Sequence, residues 1–206
     1  VPQWAVEAVP GYRGHTWAPD IQKVGDTWYL YYSCSSFGKN GSAIGLMTNK
    51  TLNPASPDYK WEDKGMVVRS EGGVTEWNAI DPNMVIDEKV NPWLTWGSFW
   101  DGIQLVRLGK DFKTPKGKPK TVARRYYLRN FTKEMVSEED MERANQAPDA
   151  GVNSIEAPFI IHENGYYYLF ASWDYCCKGA NSNYKTVVGR SKKIAGPYLD
   201  KNGKDM

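Results

Sequence analysis

The chain has 206 residues and a mass of 23.4 kDa, with 26 Lys and Arg against 24 Asp and Glu for a net charge of +2. That length suits one domain, or two small ones, and a near-balanced surface offers no electrostatic basis for binding nucleic acid or an anionic membrane. A mean hydropathy of −0.61, with no apolar run near the ~20 residues a membrane helix needs, excludes a membrane protein, a coiled coil and a disordered tail.

The chain opens on Val1 and shows no basic-then-apolar leader, which points to a processed chain or a piece of a longer one. From there, three segments share one grammar: Thr16 to Ser33, Asn78 to Ser98 and Ser154 to Ser172. They align on Pro19, Pro82 and Pro158, at spacings of 63 and 76 residues. Ser33 and Ser172 each lie 14 residues after their proline, and Ser98 joins them with a two-residue insertion. The first copy predicts a strand over Asp20–Val24, a turn at Gly25-Asp26 and a strand over Trp28–Ser33. The third predicts strands over Phe159–His162 and Tyr166–Ser172 about an Asn164-Gly165 turn, a hairpin signal between β-formers. A further strand follows in each copy, over Ala43–Thr48, Ile103–Leu108 and Thr186–Ser191. Repeats of this kind, without an amphipathic helix, predict an all-β chain of propeller blades. Residues 109–153 read as an inter-blade insertion whose basic first half is a solvated loop, with Ser137 capping a short helix that ends before Pro148. Asn40, Asn49 and Asn130 open sequons by pattern.

Aromatic residues are the compositional excess, at 14 % of the chain, and flat rings both favour strands and stack on flat ligands such as sugars. Cys34, Cys176 and Cys177 make no even disulfide framework. Because sequence neighbours rarely bridge each other, the expectation is one bridge from Cys34 or three thiols. No residue pattern supports a metal site.

In a propeller the first strand of each blade lines the axis, so residues beside the three prolines converge. Asp81 stands one before its proline and Glu156 two before its own, both among apolar neighbours. Two carboxylates in such a place suit an acid with a raised pKa and an ionised partner, as glycoside hydrolysis requires, or else they cap strands by accepting backbone N–H groups.

The motifs Trp17-Ala18-Pro19-Asp20, Ile80-Asp81-Pro82-Asn83 and Ile155-Glu156-Ala157-Pro158 resemble the blade starts of glycoside hydrolase family 43. The stretch Gly97 to Leu105, and the order of motifs through Gly196-Pro197-Tyr198, are similar to its endo-1,5-α-L-arabinanase branch. The resemblance implies a five-bladed β-propeller, of which this chain supplies about three blades, the second to the fourth, as a single domain over 1–206. It further implies an inverting glycosidase for α-1,5-linked L-arabinan, with Glu156 as general acid and Asp81 as the carboxylate that keeps the acid's proton in place. Trp17, Phe37, Trp100 and His15 are then candidates to meet sugar rings, and Asn78, Ser98 and Ser154 to bond sugar hydroxyls. The family's catalytic base, an Asp at the start of blade one, has no counterpart, since the first Asp here is Asp20 at a non-catalytic position. No cofactor is implied for the chemistry. A structural calcium ion is implied for a complete domain, although no residue matches its histidine. The implied partners are plant cell-wall arabinan or its oligosaccharides and the remaining blades of the same polypeptide, with neither nucleic acid nor membrane, and the implied location is secreted or periplasmic. An α-L-arabinofuranosidase, a β-xylosidase and a non-catalytic carbohydrate-binding propeller are the alternatives.

Overall fold

The computed structural model describes residues 2–125 and 153–206. After a short helix, α1 (Gln3–Ala8), the described residues form three antiparallel sheets. Blade A is β1 (Thr16–Val24), β2 (Thr27–Cys34), β3 (Ala43–Asn49) and β4 (Glu62–Arg69), in that spatial order. Blade B is β5 (Asn83–Ile86), β6 (Pro92–Trp96), β7 (Ile103–Arg107) and β8 (Lys120–Ala123). Blade C is β9 (Ile155–Glu163), β10 (Tyr166–Trp173) and β11 (Lys185–Ser191). Outside β11, Leu199 exchanges backbone bonds with Arg190 and begins a further rung. Neighbouring blades touch through their first strands, β1 on β5 and β5 on β9, so these three strands are the inner ones.

The hairpins follow from local chemistry. Asn164 and Gly165 both have positive φ, 51° and 72°, which the tight turn between β9 and β10 requires and this pair tolerates. The prolines also have a physical place. Register slips between Trp17 and Asp20 in β1, and opposite Phe170 and Ser172 in β9, so Ala18-Pro19 and Ala157-Pro158 lie in bulges. Pro82 directly precedes β5. A residue that cannot donate to the ladder belongs at such positions.

The core lies between blades rather than within them. Trp96, Leu94 and Met84 of blade B pack with Tyr31, Ile44 and Leu46 of blade A. On the other side, Ile103 and Leu105 of blade B pack with Ile160, Leu169 and Tyr198 of blade C. Ala5 and Val9 close on Tyr32 and Cys34, holding α1 against blade A.

Several expectations change. The fourth strands β4 and β8 carry no clear alternation and were not predicted. The stretch assigned to an insertion from residue 109 onward contains β8, which completes blade B, preceded by a tight turn in which Gly109 N bonds Thr114 O at 2.8 Å. The Ser137 helix, the Pro148 boundary and Asn130 lie outside the described residues. Asn40 and Asn49 are buried, with Asn40 donating to Thr75 O at 2.8 Å, so neither presents a free side chain. Cys176 and Cys177 do bridge each other, and Cys34 is a buried free thiol. The physical reason is the loop after β10, where Cys177 takes a left-handed φ of 63° and so turns back on its neighbour, whereas Cys34 is sealed under α1. Among the described residues no helix is long and apolar enough to cross a membrane.

Candidate active site

The site grows out of the bulges. Ala18, Asp81 and Ala157, the residues before the three prolines, have φ of 31°, 58° and 53°. A proline normally drives its predecessor to extended backbone, and only Gly, Asn and Asp enter the left-handed region cheaply. Ala18 and Ala157 therefore store strain at the inner ends of their blades, while Asp81 is a residue type that tolerates the same turn. The turn also points the Ala157 N–H across the blade boundary, where it donates to Asp81 Oδ2 at 3.1 Å. The Asp81 N–H in turn donates to Ser33 Oγ of blade A at 3.0 Å.

Glu156 thus stands next to the residue that bonds Asp81, and the two candidate carboxylates meet across the boundary between blades B and C. Both oxygens of Glu156 are engaged: Ser98 Oγ donates to Oε2 at 2.6 Å, and the Tyr184 hydroxyl donates to Oε1 at 2.5 Å. Ser98 also forms an isolated backbone bridge with Glu156, and Phe99 N donates to Ile155 O at 2.9 Å, so the end of blade B is stitched to the start of β9.

Burial, and then the nearby Glu156 charge, push the Asp81 carboxyl from 3.8 up to about 7, against the opposing effect of the Ala157 bond. The like charge of Glu156 thus acts on Asp81, the reverse of the direction the resemblance implies. Burial, and then its bond to Glu156, push the Tyr184 phenol well above its ordinary range, so it stays a donor.

The other candidates divide. Trp17 and Phe37 lie edge to face at 6.4 Å, and Phe37 is 80 % exposed, a large ring open to solvent. His15 is exposed just ahead of β1. Trp100 is half-buried, and its carbonyl accepts from Asn153 Nδ2. Asn78 is 4 % exposed, and its Oδ1 accepts from Ser42 Oγ at 2.7 Å and Ser70 Oγ at 3.3 Å, so it organises a buried hydroxyl cluster rather than reaching for a sugar. Ser154 is equally buried and accepts from Arg125 Nη1 at 3.2 Å. That guanidinium also pairs with Asp174, which Lys185 reaches at 2.5 Å. Burial works against the Asp174 charge, but its bonds to Lys185 and Arg125 hold its pKa below the ordinary value. His162, in β9, pairs with Glu88 at 2.8 Å and lies against the Tyr167 ring. Among the described residues no three or more His, Cys, Asp or Glu side chains converge as metal ligands.

Sequence reasoning missed Tyr184, Ser33 in its contact with Asp81, and the Ala157 N–H. Ser33 had a signal, since it repeats at the blade position of Ser98 and Ser172. Tyr184 had none, because no aromatic recurs just before the third strand of the other blades.

A sequence model of Glycosyl hydrolases family 43 matches residues 3–206. The chain belongs to that family. Its three sheets are blades of the family's five-bladed β-propeller. It is 49 % identical, over 100 % of its length, to an extracellular exo-α-(1→5)-L-arabinofuranosidase, ArbA, of Cellvibrio japonicus, covering 56 % of that protein. It is 43 % identical over 98 % of its length to extracellular endo-α-(1→5)-L-arabinanase 1 of Bacillus subtilis, covering 54 % of it. Among solved structures, an exo-1,5-α-L-arabinanase from a bovine ruminal metagenomic library matches all of this chain with TM-score 0.87 and 72 % identity, the chain covering 61 % of it. The α-L-arabinanase of Cellvibrio cellulosa, solved with arabinohexaose, matches with TM-score 0.87 and 46 % identity, the chain covering 62 % of it. The chain therefore spans rather more than half the length of these relatives.

Proposed function

We propose that this family 43 chain carries the acid side of an inverting glycosidase site for α-1,5-linked L-arabinan. The observation that carries the reading is the Glu156 carboxyl, held by Ser98 and Tyr184 beside Asp81, whose own pKa is raised to about 7. A pair that retains one proton near neutral pH is the reservoir a general acid needs. Glu156 delivers that proton to the glycosidic oxygen as the bond to the anomeric carbon breaks, and the electron pair stays on the leaving oxygen. Asp81 keeps the proton in the pair and orients Ala157, and through it the backbone of Glu156. Inversion needs a second carboxylate roughly 6.5–9.5 Å from the first to activate water on the opposite face. No residue of this chain matches the family's base, so the proposal places it, with the remaining blades, on further residues of the same polypeptide.

Phe37, 80 % exposed, and Trp17, edge to face with it, are the rings proposed to meet arabinose units, with His15, exposed just ahead of β1, as a further candidate. Endo action is proposed, and a specific observation favours exo action as the second reading: two relatives, at 49 % and 72 % identity, are named exo-acting. Oligosaccharide products from arabinan support the first reading and short products of uniform length the second. Relatives named extracellular support secretion. The test of the site is Glu156→Ala in the full-length polypeptide. A loss of at least ~10²-fold on arabinan with unaltered unfolding behaviour is expected of a lost general acid, and retained turnover refutes the assignment.

A further inference from the structure

Tyr184 lies outside the described core clusters and is 41 % exposed, yet its hydroxyl is turned onto Glu156. Its ring does little for the interior, so the placement of the hydroxyl calls for its own explanation. The loop leading to it is closed by two bonds between Tyr175 and Asn183: Tyr175 N donates to Asn183 Oδ1 at 3.0 Å, and Asn183 N donates to Tyr175 O at 3.1 Å. On its other side, Lys185 is anchored to Asp174 at 2.5 Å. Tyr184 therefore sits between two fixed points. Ser172, the cross-strand partner of Glu156, also acts on that hydroxyl, drawing its pKa down against burial and Glu156. Blade B grips Oε2 through Ser98, so blade C must supply the second point that fixes the carboxyl plane.

We propose that Tyr184 is the positioning residue for the Glu156 carboxyl: with Ser98 it fixes the plane from which the proton is delivered to the leaving oxygen. The inference rests on the reading of Glu156 as the acid. A carboxyl held at one oxygen can swing about its last torsion, and a misplacement of about 1 Å is enough to cost ~10²-fold in rate. The titratable groups facing Glu156 among the described residues are Asp81, from the start of β5, and Tyr184 itself. Neighbouring Lys185 is engaged by Asp174.

The test is Tyr184→Phe, which keeps the ring and removes only the hydroxyl, in the full-length polypeptide. On arabinan, kcat is expected to fall about 10- to 100-fold with KM within about twofold, part of the ~10²–10⁴ that a positioned acid supplies. With an aryl arabino-oligosaccharide whose nitrophenolate leaves without protonation, the loss should be at least about tenfold smaller, since little proton transfer is then needed. Equal losses on both substrates, or none on either, would overturn the proposal. A second readout needs no turnover. Titration of the Asp81 and Glu156 carboxyl carbons by ¹³C NMR should show the pair's apparent midpoint rising in Tyr184→Phe, because a donor to the ionised form is gone. An unchanged titration overturns the contact. If wild-type polypeptide releases nothing from arabinan, the functional reading fails, while the titration still decides whether Tyr184 holds Glu156.

Discussion

Asp81 shows how much one side chain carries here. Its carboxyl titrates near 3.9 in an unfolded chain and at about 7 in the folded one, owing first to burial and then to Glu156. The folded state thus binds the extra proton, so the Asp81 contribution is intact below about pH 4 and is lost as pH rises through about 7. Asp81→Asn keeps an oxygen acceptor for the Ala157 N–H and removes the titration. The variant is expected to exceed wild type in stability at pH 8, by about 4 kcal/mol, with the margin vanishing at pH 4. Denaturant unfolding at the two pH values checks this, and a margin that is the same at both removes the linkage. The place of Asp81 and Glu156 at the blade starts was legible from three prolines in one register. Their meeting through a left-handed Ala157 was not, because a bulge conformation depends on the strand beside it.

At the scale of the strand, the residues after Pro19 and Pro82 latch their blades to the next. Asp20 Oδ2 accepts from Met84 N at 2.7 Å, and Asn83 Oδ1 accepts from Ile160 N at 2.8 Å. Each of these N–H groups lies two residues after its own proline, so one device is used twice. Burial raises the Asp20 pKa, although the bond from Met84 and others oppose it, so its charge is costly there while its oxygen is needed. Two variants separate these effects. Asp20→Ala strands a buried N–H and should lose about 1–3 kcal/mol, whereas Asp20→Asn keeps the acceptor without the charge and should be at least as stable as wild type at pH 7. Similar losses in both variants would show that the charge, not the acceptor, matters. Strand identity was largely legible from alternation and turn residues. The outer strands β4 and β8 were not, since an outer strand meets fewer apolar neighbours and its sequence needs less pattern.

Across the whole molecule, stability resides in the seams between blades. Trp96 is fully buried in the seam between blades A and B, edge to face with Trp77 at 5.2 Å, and its Nε1 has no hydrogen-bond partner among the described residues. Trp96→Ala should cost about 3–5 kcal/mol by opening a cavity that neither rigid sheet can close. Trp96→Phe retains most of the volume and removes the orphaned donor, so its loss should stay below about 1.5 kcal/mol. Urea midpoints of the two variants test this, and equal losses would argue that the seam is loosely packed. The Tyr31 hydroxyl, donating to Phe112 O at 2.6 Å, ties the same seam at its outer side.

Sequence alone determined the all-β class, the blade repeat, the family and the two carboxylates, because period-two alternation, turn chemistry and recurring prolines are local properties of the chain. Only tertiary structure decided that Tyr184 and Ser98 grip Glu156, that the raised pKa falls on Asp81, and that Asn78 and Ser154 turn inward. Those outcomes depend on which strand ends face each other across a blade boundary. Residues about 30 to 80 positions apart are brought together there by inter-blade packing, whose burial is shared between sheets and leaves no short-range period to read.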